Sequence, residues 1–222
     1  MLDGTYAGLQ ASVADFLNRA DLTATIPDFI RMAEVHLNRT IRVRKMVGQT
    51  TLNLVAGTEY YAMPSDFAEE RTITVNTDPP LDLTFETMET LDEIARTQAV
   101  SYQATPRWVG IVGQRWRFRP LPDTAYVATI TYFQKLPPVA TNGTNWLLTD
   151  YPDAYLYGAL TAAAPYLQAD ERTQVWGGLF NEAIQAIRHN ETERLGKRLK
   201  ADSGLRPFRR GLYNVQNDSW GS

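Results

Sequence analysis

The chain has 222 residues, a formal charge of −3, 44% hydrophobic and 21% charged residues, and no cysteine. Such a composition is globular, and a chain of this length buries roughly 70% of its unfolded surface without covalent staples. Disulfides, thiol nucleophiles, iron–sulfur clusters and Cys-type zinc sites are excluded, and with His36 and His189 as the only histidines no multi-histidine metal site can form within one chain.

The start, MLDGTYAGLQ, has neither the cationic opening nor the apolar run of a signal peptide. The richest apolar run, Leu156 to Leu167, is interrupted by Tyr157, Thr161 and Pro165. It falls short of the roughly 20 residues a membrane span needs. The expectation is a soluble protein made in a reducing cytoplasm, with no membrane partner.

Two helices are predicted first. Leu9, Val13, Phe16 and Leu17 recur at helical spacing between Thr5 and Asn18. The second helix is expected to start at Thr25 as its cap, with Pro27 in the first turn and Asp28 favouring the positive end of the dipole. Its stripe is Phe29, Ile30, Ala33, Leu37 and Ile41, and Arg39, Arg42, Arg44 and Lys45 lie at its far end.

From Val47 to Val139 the texture changes to Thr, Val, Tyr and turn residues, which reads as strands. Val47–Val55 and Glu59–Met63 predict a hairpin around Ala56–Gly57, and Arg71–Asn76 a further strand. Ser65–Asp66, after Pro64, reads as the cap of a helical turn. A short helix is expected over Thr87–Arg96. Strands then follow at Arg107–Val112, Arg115–Arg119 and Tyr126–Gln134, the first two joined by a turn at Gly113–Gln114.

Helices return after Asn145. Pro152 sits near a helix start, with Ala159, Ala162 and Ala163 along it. After a break at Gln168–Asp170, one long helix is expected from Asp170 to Lys200, with a stripe of Val175, Leu179, Phe180, Ala183, Ile184 and Ile187. That stripe thins after Ile187, so the distal half calls for a partner to cover it. The last residues contain Gly, Pro, Asn and Ser without helical period and read as a flexible tail.

No phosphate-cradling loop, nucleophile elbow or histidine–serine pair is present. Pro122–Asp123 followed by Lys135 approaches a metal-nuclease core, but Phe133 stands where an acid is required. The remaining acids, Asp66, Glu69, Glu70, Asp150 and Asp153, form no recognisable pair. The expectation is no catalytic residue, no metal and no cofactor.

Two basic features stand out. Arg115, Arg117 and Arg119 alternate with Trp116 and Phe118, so one strand face is cationic and the other apolar. That face is either solvated or a contact with another subunit or with DNA. From Arg188 to Arg210 the local charge is +5, leaving −8 on the rest of the chain. Phe208, Leu212, Tyr213 and Trp220 are interleaved with or follow these arginines, as in segments that anchor interfaces. Gly177–Gly178 inside the long helix costs about 1 kcal/mol per glycine against alanine. It marks either close packing on a neighbouring helix or a hinge.

Three stretches together carry a resemblance: TYAGLQASVADFLNRADLTATIPDFIRMAEVHLNRTIRVR, RFRPLPDTAYVATITYFQKLPP and NWLLTDYPDAYLYGALTAAAPYLQADER. Their order and spacing resemble the head-to-tail adaptor (connector) proteins of tailed bacteriophages over most of residues 3 to 200. The resulting fold class is α+β. Helices from 1–45 and 141–200 form a bundle, residues 46–140 an inserted antiparallel β module, and 201–222 an extended tail.

The resemblance implies a non-enzymatic virion protein at the head–tail interface, assembled in the bacterial host cytoplasm. Its implied partners are the portal ring, a tail or nozzle protein, and its own copies in a ring, usually of twelve. Packaged DNA would pass through the channel without sequence-specific binding. By position at the chain's end, the candidate portal contacts are Arg194, Lys197, Arg198, Lys200, Arg206, Phe208, Arg209, Arg210, Tyr213 and Trp220. The alternative is a nucleic-acid-binding protein that uses the basic C-terminal segment.

Overall fold

The computed structural model of the chain describes residues 3–98, 102–167 and 172–193. Thr5 has extended backbone, and its hydroxyl accepts from the Gly8 N–H at 3.1 Å, which closes the open end of helix α1 (Tyr6–Leu17). Asn18, left-handed at φ 49°, ends it. Leu9, Val13 and Leu17 are buried as their spacing predicts, whereas Phe16 is 46% exposed. Helix α2 (Ile26–Thr40) corrects the reading of Thr25. A 3-10 turn over Ala20–Thr25 leads into α2, and the Thr25 hydroxyl donates to the Leu22 carbonyl at 2.7 Å instead of capping it. The chain enters α2 already wound, so a side-chain cap is not needed there.

Eight strands follow among the described residues: β1 (Val47–Leu54), β2 (Tyr60–Ala62), β3 (Phe67–Val75), β4 (Leu81–Asp82), β5 (Thr84–Phe85), β6 (Trp108–Val112), β7 (Arg115–Arg119) and β8 (Tyr126–Gln134). Helix α3 (Met88–Thr97), capped by the Thr87 hydroxyl, lies between β5 and β6. The strands form two four-stranded sheets, ordered β1-β8-β3-β4 and β2-β7-β6-β5.

Three expectations are corrected here. The hairpin around Ala56–Gly57 does not form: β1 pairs with β8 from Val47↔Phe133 to Leu54↔Tyr126, while β2 crosses to the other sheet and pairs with β7. Eight consecutive cross-strand pairs with β8 outweigh the three a local hairpin could make with the short β2. The β region is not wholly antiparallel, because β5 and β6 run parallel with α3 as their crossover. Ser65–Asp66 forms a single turn, closed by the Phe67 N–H on the Pro64 carbonyl at 3.1 Å, but it leads into β3 and Asp66 caps no helix. The Asp66 carboxylate accepts from the Tyr132 hydroxyl at 3.0 Å and from Gln134 Nε2 at 2.9 Å, which fixes the start of β3 against β8.

The return is helical: α4 (Val139–Asn142), α5 (Trp146–Asp150), α6 (Pro152–Ala162) and α7 (Arg172–Glu193). Asn145 caps α5 through the Leu148 N–H at 2.9 Å and also donates to the Tyr155 hydroxyl at 2.7 Å. Helix α6 is apolar and small-sided over most of its surface, and it packs against α1, α2 and α7. At Gly158 a Cβ would come within 2.9 Å of both Ala33 and the Phe180 ring, so only glycine lets the three helices meet. The predicted break at Gln168–Asp170 and the last turns to Lys200 lie outside the described residues. The fold is thus mixed α+β, seven helices and two sheets among the described residues, with one buried cluster among the helices and another around Trp116, Phe118, Ile130 and Tyr132.

Candidate functional site

The arginine strand does not present a solvated cationic face. Arg117 and Arg119 are buried together with Trp116 and Phe118, and of the three arginines only Arg115 is exposed. Glu59 lies between the two buried guanidiniums: Oε1 accepts from Arg117 Nε at 2.6 Å and from Arg119 Nη2 at 2.7 Å. Arg117 also donates to Asp92 on α3. Its guanidinium is held more basic than usual by Asp92 and Glu59, against the opposing effect of burial, and the Asp92 carboxyl is held low by Arg117. These charges tie β7 to the β1–β2 connection and to α3. The signal missed in the sequence is the acid at Glu59, 58 residues from Arg117.

The described end of α7 is docked on the body, while the remainder of the distal half expected to need a partner, beyond Glu193, lies outside the described residues. Ile184, Ile187 and Glu191 are buried. Arg188 Nη2 donates to the Thr40 carbonyl at 2.7 Å, which completes the C-terminal end of α2. Glu191, 1% exposed, faces Lys45 Nζ at 3.4 Å. Lys45 also meets Asp150 at 2.6 Å and lies 5.4 Å from the centre of the Trp146 ring. Its ammonium is made more basic, first by the Asp150 hydrogen bond and further by Glu191. One lysine therefore joins the entry to β1, the end of α5 and the last described turn of α7. The cationic, aromatic segment of the sequence follows directly after that last described turn.

Beside Lys45, a cleft of about 870 Å³ separates α2 from the Lys135–Thr141 stretch. Ile30, Met46, Leu136 and Trp146 give it an apolar lining, and Glu34 is its buried acid. Glu34 Oε1 accepts from the Val139 N–H at 3.1 Å and the Tyr155 hydroxyl at 3.2 Å. Burial raises its carboxyl above the usual range, and those two hydrogen bonds oppose the shift.

Helix α7 runs through Gly177 and Gly178 without interruption, and a Cβ at either would meet nothing within 4 Å. Close packing inside the described chain is therefore not what these glycines serve. Three of the acids weighed for catalysis hold structural positions: Asp66 as above, Glu69 paired with Arg42 at 2.7 Å, and Asp150 with Lys45. Among the described residues no group of three His, Asp or Glu is placed to hold a metal. No described helix is long and apolar enough to cross a membrane.

The family model of the SU10 adaptor protein matches residues 4–207. The chain belongs to that family. It is a phage adaptor protein, a structural component of a viral particle. No curated protein matches the chain. The family match takes in both sheets, all seven described helices and the first part of the adaptor's tail, through Pro207.

The candidate contacts Arg194, Lys197, Arg198, Lys200 and Arg206 lie within that match and outside the described residues. Phe208, Arg209, Arg210, Tyr213 and Trp220 lie beyond both.

Proposed function

We propose that the adaptor docks as a ring beneath the portal, extends the DNA channel and offers a platform to the next tail component. The C-terminal segment supplies the grip. The observation that carries this reading is the root of the tail. Lys45, Asp150, Glu191 and Arg188 hold the end of α7 against α2 and α5, so a segment rich in Arg and aromatics leaves every copy from the same point. Arg and aromatic side chains dominate the energy of interfaces. A weak contact repeated around a ring gains avidity without any new contact.

The nucleic-acid alternative loses part of its support, because Arg117 and Arg119 are engaged with Glu59 and Asp92. Its remaining footing is the basic segment.

Co-sedimentation with the assembled portal ring tests the proposal, using the full chain beside a version ending at Lys200 whose folding is checked by circular dichroism. Binding by the full chain and loss in the shortened one is the expected result. Binding by both would move the contact to the body, and binding by neither would remove the portal as partner. A DNA titration of the same samples distinguishes the alternative, which requires affinity that falls steeply with salt.

A further inference from the structure

The four sheet edges are protected unequally. Three of them, β2, β4 and β5, are only two or three residues long. The fourth, β1, runs for eight residues and pairs with β8 alone, in unbroken register and without a bulge. From Met46 to Thr58 the sequence holds no Asp, Glu, Lys, Arg or Pro. Charge, proline, bulges and shortness are among the devices that stop an edge from recruiting another strand. β1 has none of them. Its outer side presents backbone N–H and C=O groups at alternate residues, with no described strand opposite. An edge of this kind takes up an extended peptide by continuing the ladder.

The position of the tail's root indicates the occupant. Glu191 meets Lys45 two residues before β1 begins, so the last described turn of α7 lies at the head of the open edge. The 17 residues from 194 to 210 can span up to roughly 55 Å, about twice the ~27 Å length of β1. They are strongly basic, but the next seven, Gly211–Asn217, carry no charge and include Leu212, Tyr213 and Val215. Those three are apolar or aromatic, and Tyr and Val favour strands. In length and in lack of charge the segment matches β1, and no other stretch of the tail does.

We infer that Gly211–Asn217 pairs with the outer edge of β1 in the same chain, as a fifth strand of its sheet. The pairing holds the tail against the body in the free protein. A tether this short sets an effective concentration in the millimolar range, which favours the chain's own segment over that of a second copy at micromolar protein. The inference does not depend on which partner the tail meets. It also lies beyond the residues the family match covers.

The absence of native cysteine makes the test direct. In the full chain, Gln49→Cys, Thr51→Cys and Asn53→Cys are each combined with Tyr213→Cys or Asn214→Cys and oxidised mildly at low protein concentration. One register is expected to give an intramolecular disulfide as the dominant product, and adding Val215→Pro is expected to abolish it. Cross-links formed only between chains would overturn the inference in favour of a second copy, and no cross-link in any register would overturn it outright.

Hydrogen exchange gives a second reading without cysteines. The outward-facing amides of Val47–Leu54, every second one along the strand, should exchange at least about tenfold faster in the full-length Leu212→Pro/Val215→Pro variant than in the unaltered chain, with the helices and the amides bonded to β8 little changed. Equal exchange in the two proteins would overturn the pairing. Portal co-sedimentation reads a different contact, so either idea can fail alone.

Discussion

Glu59 is the acid on which two buried guanidiniums depend, and its removal leaves both charges short of a partner. Glu59→Gln is therefore expected to cost about 3 kcal/mol, in the range seen when one member of a buried pair is removed. Asp92→Asn should cost only a small part of that, because Asp92 is half exposed and water can replace it. Urea denaturation of the two variants makes the comparison, and equal losses would refute the unequal roles. Glu34 gives a pH dependence of definite sign. Its carboxyl ordinarily titrates at 4.5 and is raised by burial in the folded chain. As pH rises through 4.5, the unfolded chain loses its proton first. The stability Glu34 contributes is thus complete below that pH and is lost as pH rises through the folded value. Glu34→Gln keeps an oxygen for Val139 and Tyr155 but cannot ionise. It should exceed the unaltered protein in stability at about pH 7.5 and lose that advantage near pH 4, as denaturant midpoints at the two values would show. Neither role was legible in the sequence, because Glu59 and Glu34 acquire their partners across 58 to 121 residues.

Helices were the legible elements, and strand partners were not. Thr5, Thr87 and Asn145 announce helix starts because capping is decided within three residues. The strands β7 and β8 occupy the residues their alternation predicts, yet the same local reading joined β1 to β2. Pairing is chosen by the number and quality of cross-strand contacts, and β8, more than 70 residues downstream of β1, offers more of them. Glycines divide in the same way. Gly158 is set against Ala33 and Phe180, so Gly158→Ala should cost about 1–3 kcal/mol through overpacking. Gly177→Ala and Gly178→Ala meet open space and should each stabilise the helix by up to about 1 kcal/mol. Thermal denaturation tests both signs. If α7 bends at these glycines during docking, the stabilised variants will also bind the portal less well than the unaltered chain.

At the scale of the whole molecule, charge is divided between a body and a tail. The segment Arg188–Arg210 carries +5 against −8 elsewhere, and its root is fixed by Lys45 and Arg188. In a ring, this arrangement would place one cationic segment per copy at equal intervals, each a weak contact on its own. On the proposed reading, lateral contacts between copies and the multiplicity of tails would share the work of holding the ring, and the two contributions can be separated. Fluorescently labelled chains ending at Lys200 should stay in the supernatant when mixed with portal alone. When unlabelled full-length chains are added, some labelled copies should be carried into the pellet by their neighbours, in a proportion that rises with the share of full-length protein. A ring bound through many tails tolerates the loss of several before it dissociates, so the decline with added shortened chains should be shallow at first and steep later. If the labelled chains never sediment, each copy docks independently and lateral contact plays no part. If they sediment without full-length chains, the body itself holds the portal and the tail serves another partner.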